Sequence, residues 1–259
     1  RSNLIHTTRL GEMAAGRLTP AAIAATTIAV SEFIARAASV GTDRLRLIAT
    51  AAVREAANTN ELAEALARVC DQPLEILSGD DEARLSYQGA KSLLDFPAAT
   101  PVLDIGGAST ELIYEQIPGR IQSLSAPVGA VRVRHWGWDA QRIRRELAAH
   151  LPVPYMSDLA VGIGGTITTA AGIMAGCHEF DRNAIEGMLL PRKSLQDLLD
   201  KLTSLSVGER CAFSPLLSRR GDIMVEGLQI WLALADMLQC KKIMVCGGGI
   251  LDGAISDMV

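Results

Sequence analysis

Aromatic side chains are scarce in this chain of 259 residues, at 4%, while hydrophobic residues as a whole make up 49%. The core must therefore be built from alanine, leucine, isoleucine and valine, and the composition is that of a globular chain, not a disordered one. Closely spaced cysteine pairs are also missing: Cys70, Cys177, Cys211, Cys240 and Cys246 are odd in number and form no C-x-x-C. That excludes a disulfide framework and points to reduced, mostly buried thiols of a cytoplasmic protein. The histidines, His6, His135, His150 and His178, lack metal-ligand spacing, so no zinc site is expected.

Nor is there an excess of positive charge. With 25 Lys and Arg against 29 Asp and Glu, the formal net charge is −4, which argues against a general attraction to nucleic acid or to an anionic membrane. Any anion site has to be local. No signal-peptide pattern is present, and the most apolar helical stretch, 223–238, carries Glu226, Gln229 and Asp236. It reads as a buried amphipathic helix, not a membrane span. The chain opens on Arg1 without an initiator methionine, so a segment upstream of it is expected to have been removed or left out. The length suits two smaller domains more comfortably than one large one.

What the chain does have is a set of glycine turns at strand ends. Val102 to Ile113 runs from an apolar stretch through Asp104 into Gly106-Gly107-Ala108-Ser109-Thr110, and a second apolar stretch with Glu111 returns. Glycines let backbone N–H groups converge on an anion, Ser109 and Thr110 add hydroxyl donors, and Asp104 suits a hydrated magnesium ion. Alone, the same residues fit an ordinary Gly-Gly hairpin equally well. Two further turns end strands, Gly164-Gly165-Thr166 after 159–163 and Cys246-Gly247-Gly248-Gly249 after 242–245. Three such turns on one rim of a parallel sheet can cradle a chain of phosphates.

Earlier in the chain, residues 2–9 read as partly β-like and Thr19-Pro20 starts a helix. A strand over 44–50 runs into Ala51 to Asn58, which places Arg54 and Asn58 one helical turn apart on the same face. Ser78 with Asp81 is a capping pattern, and Asp80 and Asp81 are read as helix-start acids. Glu82 lies just inside that helix after a strand end, where open α/β sheets place functional groups. Arg132, Arg134, Trp136 and Trp138 read as the surface approach to a helix over 140–150, and Arg219, Arg220 and Asp222 precede the helix at 223–238.

Taken together, ATAAVREAAN at 49–58, ILSGDDEARL at 76–85 and DIGGASTEL at 104–112 resemble motifs of the exopolyphosphatase and guanosine pentaphosphate phosphohydrolase family. TRLGE at 8–12, VGAVR at 128–132, GIGGT at 162–166 and RGDIMVEG at 220–227 follow in family order. The family belongs to the actin, sugar-kinase and Hsp70-like superfamily. The resemblance implies an α/β, two-lobed actin-like (ribonuclease H-like) fold. Lobe one is expected at 1–84 plus 251–259 and lobe two at 85–250. In the family the chain starts with a strand, an acidic Gly-Ser loop and a return strand, roughly thirty residues in all. The first lobe is therefore expected to be N-terminally incomplete here. Asp81 stands where the family often has glutamate, and Ala108 replaces a glycine, so residue 108 is expected at an ordinary negative φ.

The resemblance also implies the chemistry. Glu82 matches the catalytic glutamate and would deprotonate water, while Arg54 would stabilise charge on the transferring group. Asp104 and Glu111 would hold Mg2+. Asn58, Gly106, Gly107, Ser109, Thr110, Gly164, Gly165, Thr166 and Gly248 would contact substrate. The expected reaction is release of terminal orthophosphate from inorganic polyphosphate, with guanosine pentaphosphate as the alternative substrate and homodimerisation common in the family. Two rivals are a polyphosphate- or nucleotide-binding sensor without turnover and an ATP-using kinase, since the Cys246–Gly249 turn matches the adenosine-contacting position of superfamily kinases.

Overall fold

The computed structural model describes residues 6, 8, 10, 16–42, 44–117, 119–152 and 156–258, with the side chain of residue 116 outside that set. The β-like stretch at 2–9 and the motif at 8–12 fall largely outside the described residues. The chain forms two compact units, the first reaching to Glu82 and taking in Met258, the second running from Ala83 to Asp257.

In the first unit, α1 (Pro20–Ser39) starts at the expected point: the Thr19 hydroxyl accepts the Ala22 N–H at 3.1 Å, with proline at the first helical position. β1 (Leu47–Ala49), α2 (Ala51–Arg54), α3 (Thr59–Ala67) and β2 (Leu74–Ile76) follow. The two strands pair in parallel, Leu47 opposite Leu74 and Ala49 opposite Ile76. Leu18, Ile23, Val53, Leu62 and Leu66 form the core of this unit, with Val30, Leu47 and Leu74 packed against it. Among the described helices, α1 is the one long and apolar enough to cross a membrane by length and composition. The first turn of α4 (Gly79–Lys91) closes the unit.

The second unit continues α4 into β3 (Val102–Ile105), β4 (Thr110–Ile117), β5 (Arg120–Ala126), α5 (Ala130–Trp136), α6 (Ala140–His150), β6 (Leu159–Ile163) and α7 (Gly165–Met174). Next come α8 (Arg182–Ile185), β7 (Leu189–Pro191), α9 (Arg192–Thr203), α10 (Val207–Phe213) and a 3-10 turn at Pro215–Leu217. α11 (Met224–Leu238), β8 (Lys242–Val245) and α12 (Ile250–Ser256) complete it. The strands form one sheet in the order β5-β4-β3-β6-β8-β7. β3, β6 and β8 are parallel, while β4, β5 and β7 run antiparallel to their neighbours. The central strands are buried and apolar because helices cover both faces of such a sheet. Trp231 of α11 is fully buried, and Gly162 in β6 makes room for it: a Cβ there would lie 2.9 Å from the indole.

Three features depart from the sequence reading. β7 has no counterpart in the sequence reading; its three residues are too few for a period-2 pattern to show. The strand expected over 44–50 shrinks to Leu47–Ala49. The final helix, expected with the first lobe, belongs to the second unit. Its glycines explain why. A Cβ on Gly253 would strike the Leu85 carbonyl and one on Gly89 the Gly249 carbonyl, so the backbones of α12 and α4 rest directly on one another.

Candidate active site

Within the first unit a carboxylate and a cation stand together. Arg54 closes α2, and its Nη1 donates to the Leu77 carbonyl at 2.7 Å and to Glu82 Oε2 at 3.3 Å. The first bond fixes the guanidinium against the end of β2, so the second falls where the carboxylate at the start of α4 stands. Thr50 occupies the N-cap position of α2 without making a capping bond, and its hydroxyl favours the ionised form of the Glu82 carboxyl. Burial pushes the Glu82 carboxyl above the ordinary range, and hydrogen bonds from Arg54 and Thr50 pull it part of the way back. A carboxylate so placed is a stronger proton acceptor than an exposed one once it is ionised. Ser78 and Asp81 form the expected cap, the Asp81 N–H donating to Ser78 Oγ at 3.1 Å.

Asn58 is a correction in geometry. The helix that was to carry it beside Arg54 ends at Arg54, and Asn58 instead precedes α3. Its amide oxygen accepts the Leu18 N–H at 2.8 Å, and its nitrogen donates to Leu18 O at 3.1 Å and Glu61 at 2.9 Å. At 5% exposure it fastens the core of the first unit, and the premise that it shares a face with Arg54 falls.

In the second unit the stretch 104–111 is a closed hairpin loop. The Gly106 N–H donates to the Ser109 carbonyl at 3.0 Å. The carbonyls of Gly106 and Gly107 are taken by the N–H groups of Ala130, Val131 and Arg132 at the start of α5, at 3.0 to 3.1 Å. Gly129 must be glycine because a Cβ would overlap the Gly107 carbonyl. The positive-φ residues do not include 106–108, so Ala108 is accommodated as expected. Gly107 is exposed and Ser109 half-buried, which leaves both open to a ligand. Thr110 is different: fully buried, it donates its hydroxyl to the Val128 carbonyl. It was expected to face substrate and instead staples the loop to the segment before α5.

Asp104 and Glu111 are cross-strand partners in the β3–β4 ladder, which puts both carboxylates on one face. A Cβ on Gly164 would lie 2.8 Å from Asp104 Oδ1, so the carboxylate also borders the second glycine turn. Among the described residues there is no group of three or more His, Cys, Asp or Glu side chains able to hold a metal. Two carboxylates, with the remaining positions left to water and phosphate, is the coordination magnesium favours, so the pair fits that ion.

At the second turn Gly164 takes φ 88° and opens α7. Arg220, given no role in the sequence reading beyond standing before the helix at 223–238 and within a motif, lies against Gly165: a Cβ there would collide with its guanidinium. Burial alone pulls the Arg220 pKa down, and at so high a starting value the group stays charged. It is thus a fixed cation beside the α7 start. The RGDIMVEG motif was the signal that could have singled it out. Thr166 is buried, its hydroxyl packed against Gly227, so this threonine too is occupied within the fold. The third turn is closed. Gly248, expected to contact substrate, is buried beneath Leu93 and Arg182, and the Cys246 thiol beside it is pushed up to about 12, chiefly by burial.

Taken unit by unit, a carboxylate held by an arginine in the first, and a hydroxyl-bearing glycine loop beside a facing carboxylate pair in the second, are features of an α/β phosphate-handling protein. The Ppx/GppA phosphatase family model matches residues 2–259, and the chain belongs to that family, whose members are hydrolases. Exopolyphosphatase 2 of Mycobacterium tuberculosis is 29% identical over 271 residues, covering 95% of this chain and 85% of that protein. An exopolyphosphatase structure from Cytophaga hutchinsonii matches with a TM-score of 0.85 at 19% identity, covering 96% of this chain and 86% of that one. A Ppx/GppA family member from Aquifex aeolicus gives 0.82 at 24%, covering 97% and 86%. These structural likenesses show the fold, which is the mixed α/β fold of Ppx/GppA family structures, as the sequence resemblance implies.

Proposed function

We propose that this chain is a cytoplasmic, magnesium-dependent exopolyphosphatase that releases terminal orthophosphate from inorganic polyphosphate. The observation that carries the reading is the Glu82 carboxylate, half-buried and held by Arg54 at 3.3 Å. Family membership and the name of the Mycobacterium tuberculosis relative support the substrate class. In the reaction Glu82 takes a proton from water as its oxygen bonds to the terminal phosphorus, and the bridging P–O bond breaks with its electron pair leaving on the shortened chain. Arg54 offsets charge accumulating on the phosphoryl oxygens. Gly107 and Ser109 donate hydrogen bonds to phosphate, and Arg220 adds a cation beside Gly165. Asp104 and Glu111 would hold magnesium, which would supply further charge neutralisation.

The test is Glu82→Gln. Phosphate release from polyphosphate should vanish while filter-retained polyphosphate binding persists; ordinary turnover would remove Glu82 as the base. A parallel assay on guanosine pentaphosphate ranks the two substrates, and a higher kcat/KM there would replace polyphosphate in this reading.

A further inference from the structure

The third glycine turn is occupied by a side chain of the protein itself. Arg182, the first residue of α8, lies across it: a Cβ on Gly247 would sit 2.7 Å from Arg182 Cγ, and one on Gly248 2.6 Å from its Nη2. Two carboxylates hold the guanidinium there, Asp252 Oδ2 at 2.7 Å from Nη2 and Glu186 Oε2 at 3.2 Å from Nε. The same carboxylates take the backbone of the turn, Glu186 accepting the Gly247 N–H and Asp252 the Gly249 N–H, each at 3.3 Å. Leu93 covers the remaining face of Gly248.

Consecutive glycines at the end of a parallel strand make a bare backbone surface on which a flat ring or a ribose can lie. Here that surface exists and is filled. A clasp selected only for stability would be served as well by an apolar side chain, because burying an arginine between carboxylates costs desolvation. The fit is also imperfect as a clasp, since Arg182 Nε is buried without a well-formed hydrogen bond. We propose that Arg182 is a resident plug that excludes nucleosides from the Gly247–Gly249 turn, so that ligands are selected by their phosphates alone. This does not depend on polyphosphate being the substrate.

The test uses the full chain as wild type, Arg182→Ala, and Arg182→Ala combined with Asp252→Asn, which neutralises the carboxylate that held the guanidinium. The probe is methylanthraniloyl-ADP, titrated by fluorescence and displaced with unlabelled ADP. Wild type should show no saturable binding, and at least one folded variant should bind with a Kd lower by about tenfold or more than any wild-type value. Saturable wild-type binding of equal strength overturns the proposal, as do folded variants that bind none. If both variants lose the folded circular-dichroism signal, Arg182 is a structural clasp and the plug is wrong. Nucleotide exclusion found in a protein that fails to hydrolyse polyphosphate would defeat the functional reading and leave the plug standing.

Discussion

Asp104 and Glu111 stand directly opposite one another on the antiparallel β3–β4 ladder. Like charges so placed repel, and a divalent cation converts that repulsion into coordination. Asp104→Asn or Glu111→Gln should therefore raise the magnesium concentration for half-maximal phosphate release by about 10- to 100-fold. A magnesium titration of both variants checks this, and an unchanged midpoint in both would exclude the pair as metal holders.

Glu82 must be ionised to accept a proton. Because Arg54 lowers its pKa against the raising effect of burial, Arg54→Gln should move the acid limb of kcat/KM to higher pH as well as lowering the plateau. Arg54→Lys should move the limb less. Stability has its own sign. The folded protein holds the Glu82 proton to higher pH than the unfolded chain, so the contribution is full below the unfolded pKa and lost as pH rises through the folded one. Glu82→Gln should consequently have a Tm at neutral pH equal to or above wild type, and a clear drop would contradict the raised pKa.

Asn58→Ala removes the partner of both Leu18 backbone groups. Stranding them should cost about 1–3 kcal/mol, read as a lower denaturation midpoint, while KM for polyphosphate in the folded protein stays put. The reverse pattern, an unchanged midpoint with a raised KM, would return Asn58 to the substrate.

Gly129→Ala sets a methyl group against the Gly107 backbone, where no side chain can swing aside. The expected loss is about 1–3 kcal/mol, together with a KM that rises more than kcat falls, because the displaced loop is the one carrying Gly107 and Ser109. Retained stability and KM would mean that the close approach is relieved elsewhere.

Much of this was legible in the chain because local rules and tertiary packing agree. Apolar runs ending in glycine marked β3, β6 and β8, and Thr19-Pro20 and Ser78 with Asp81 marked helix starts. What escaped was whatever depends on distant residues. Nothing in Cys246-Gly247-Gly248-Gly249 says that Arg182 will lie over it, and nothing around Gly165 announces Arg220. Thr110 and Asn58 were misplaced for a related reason: a hydroxyl in a loop and an amide near a helix look the same in sequence whether they face a ligand or bond Val128 and Leu18. Hydroxyls and amides serve both ends, and only the packing decides.

The 104–110 loop has its conformational entropy spent before any ligand arrives. With the carbonyls of Gly106 and Gly107 bonded to α5 and the Gly106 N–H turned inward to Ser109, it has little freedom left to lose. Phosphate would meet a preset mould, and discrimination there becomes a matter of fit and charge, with no ordering of the loop to slow association.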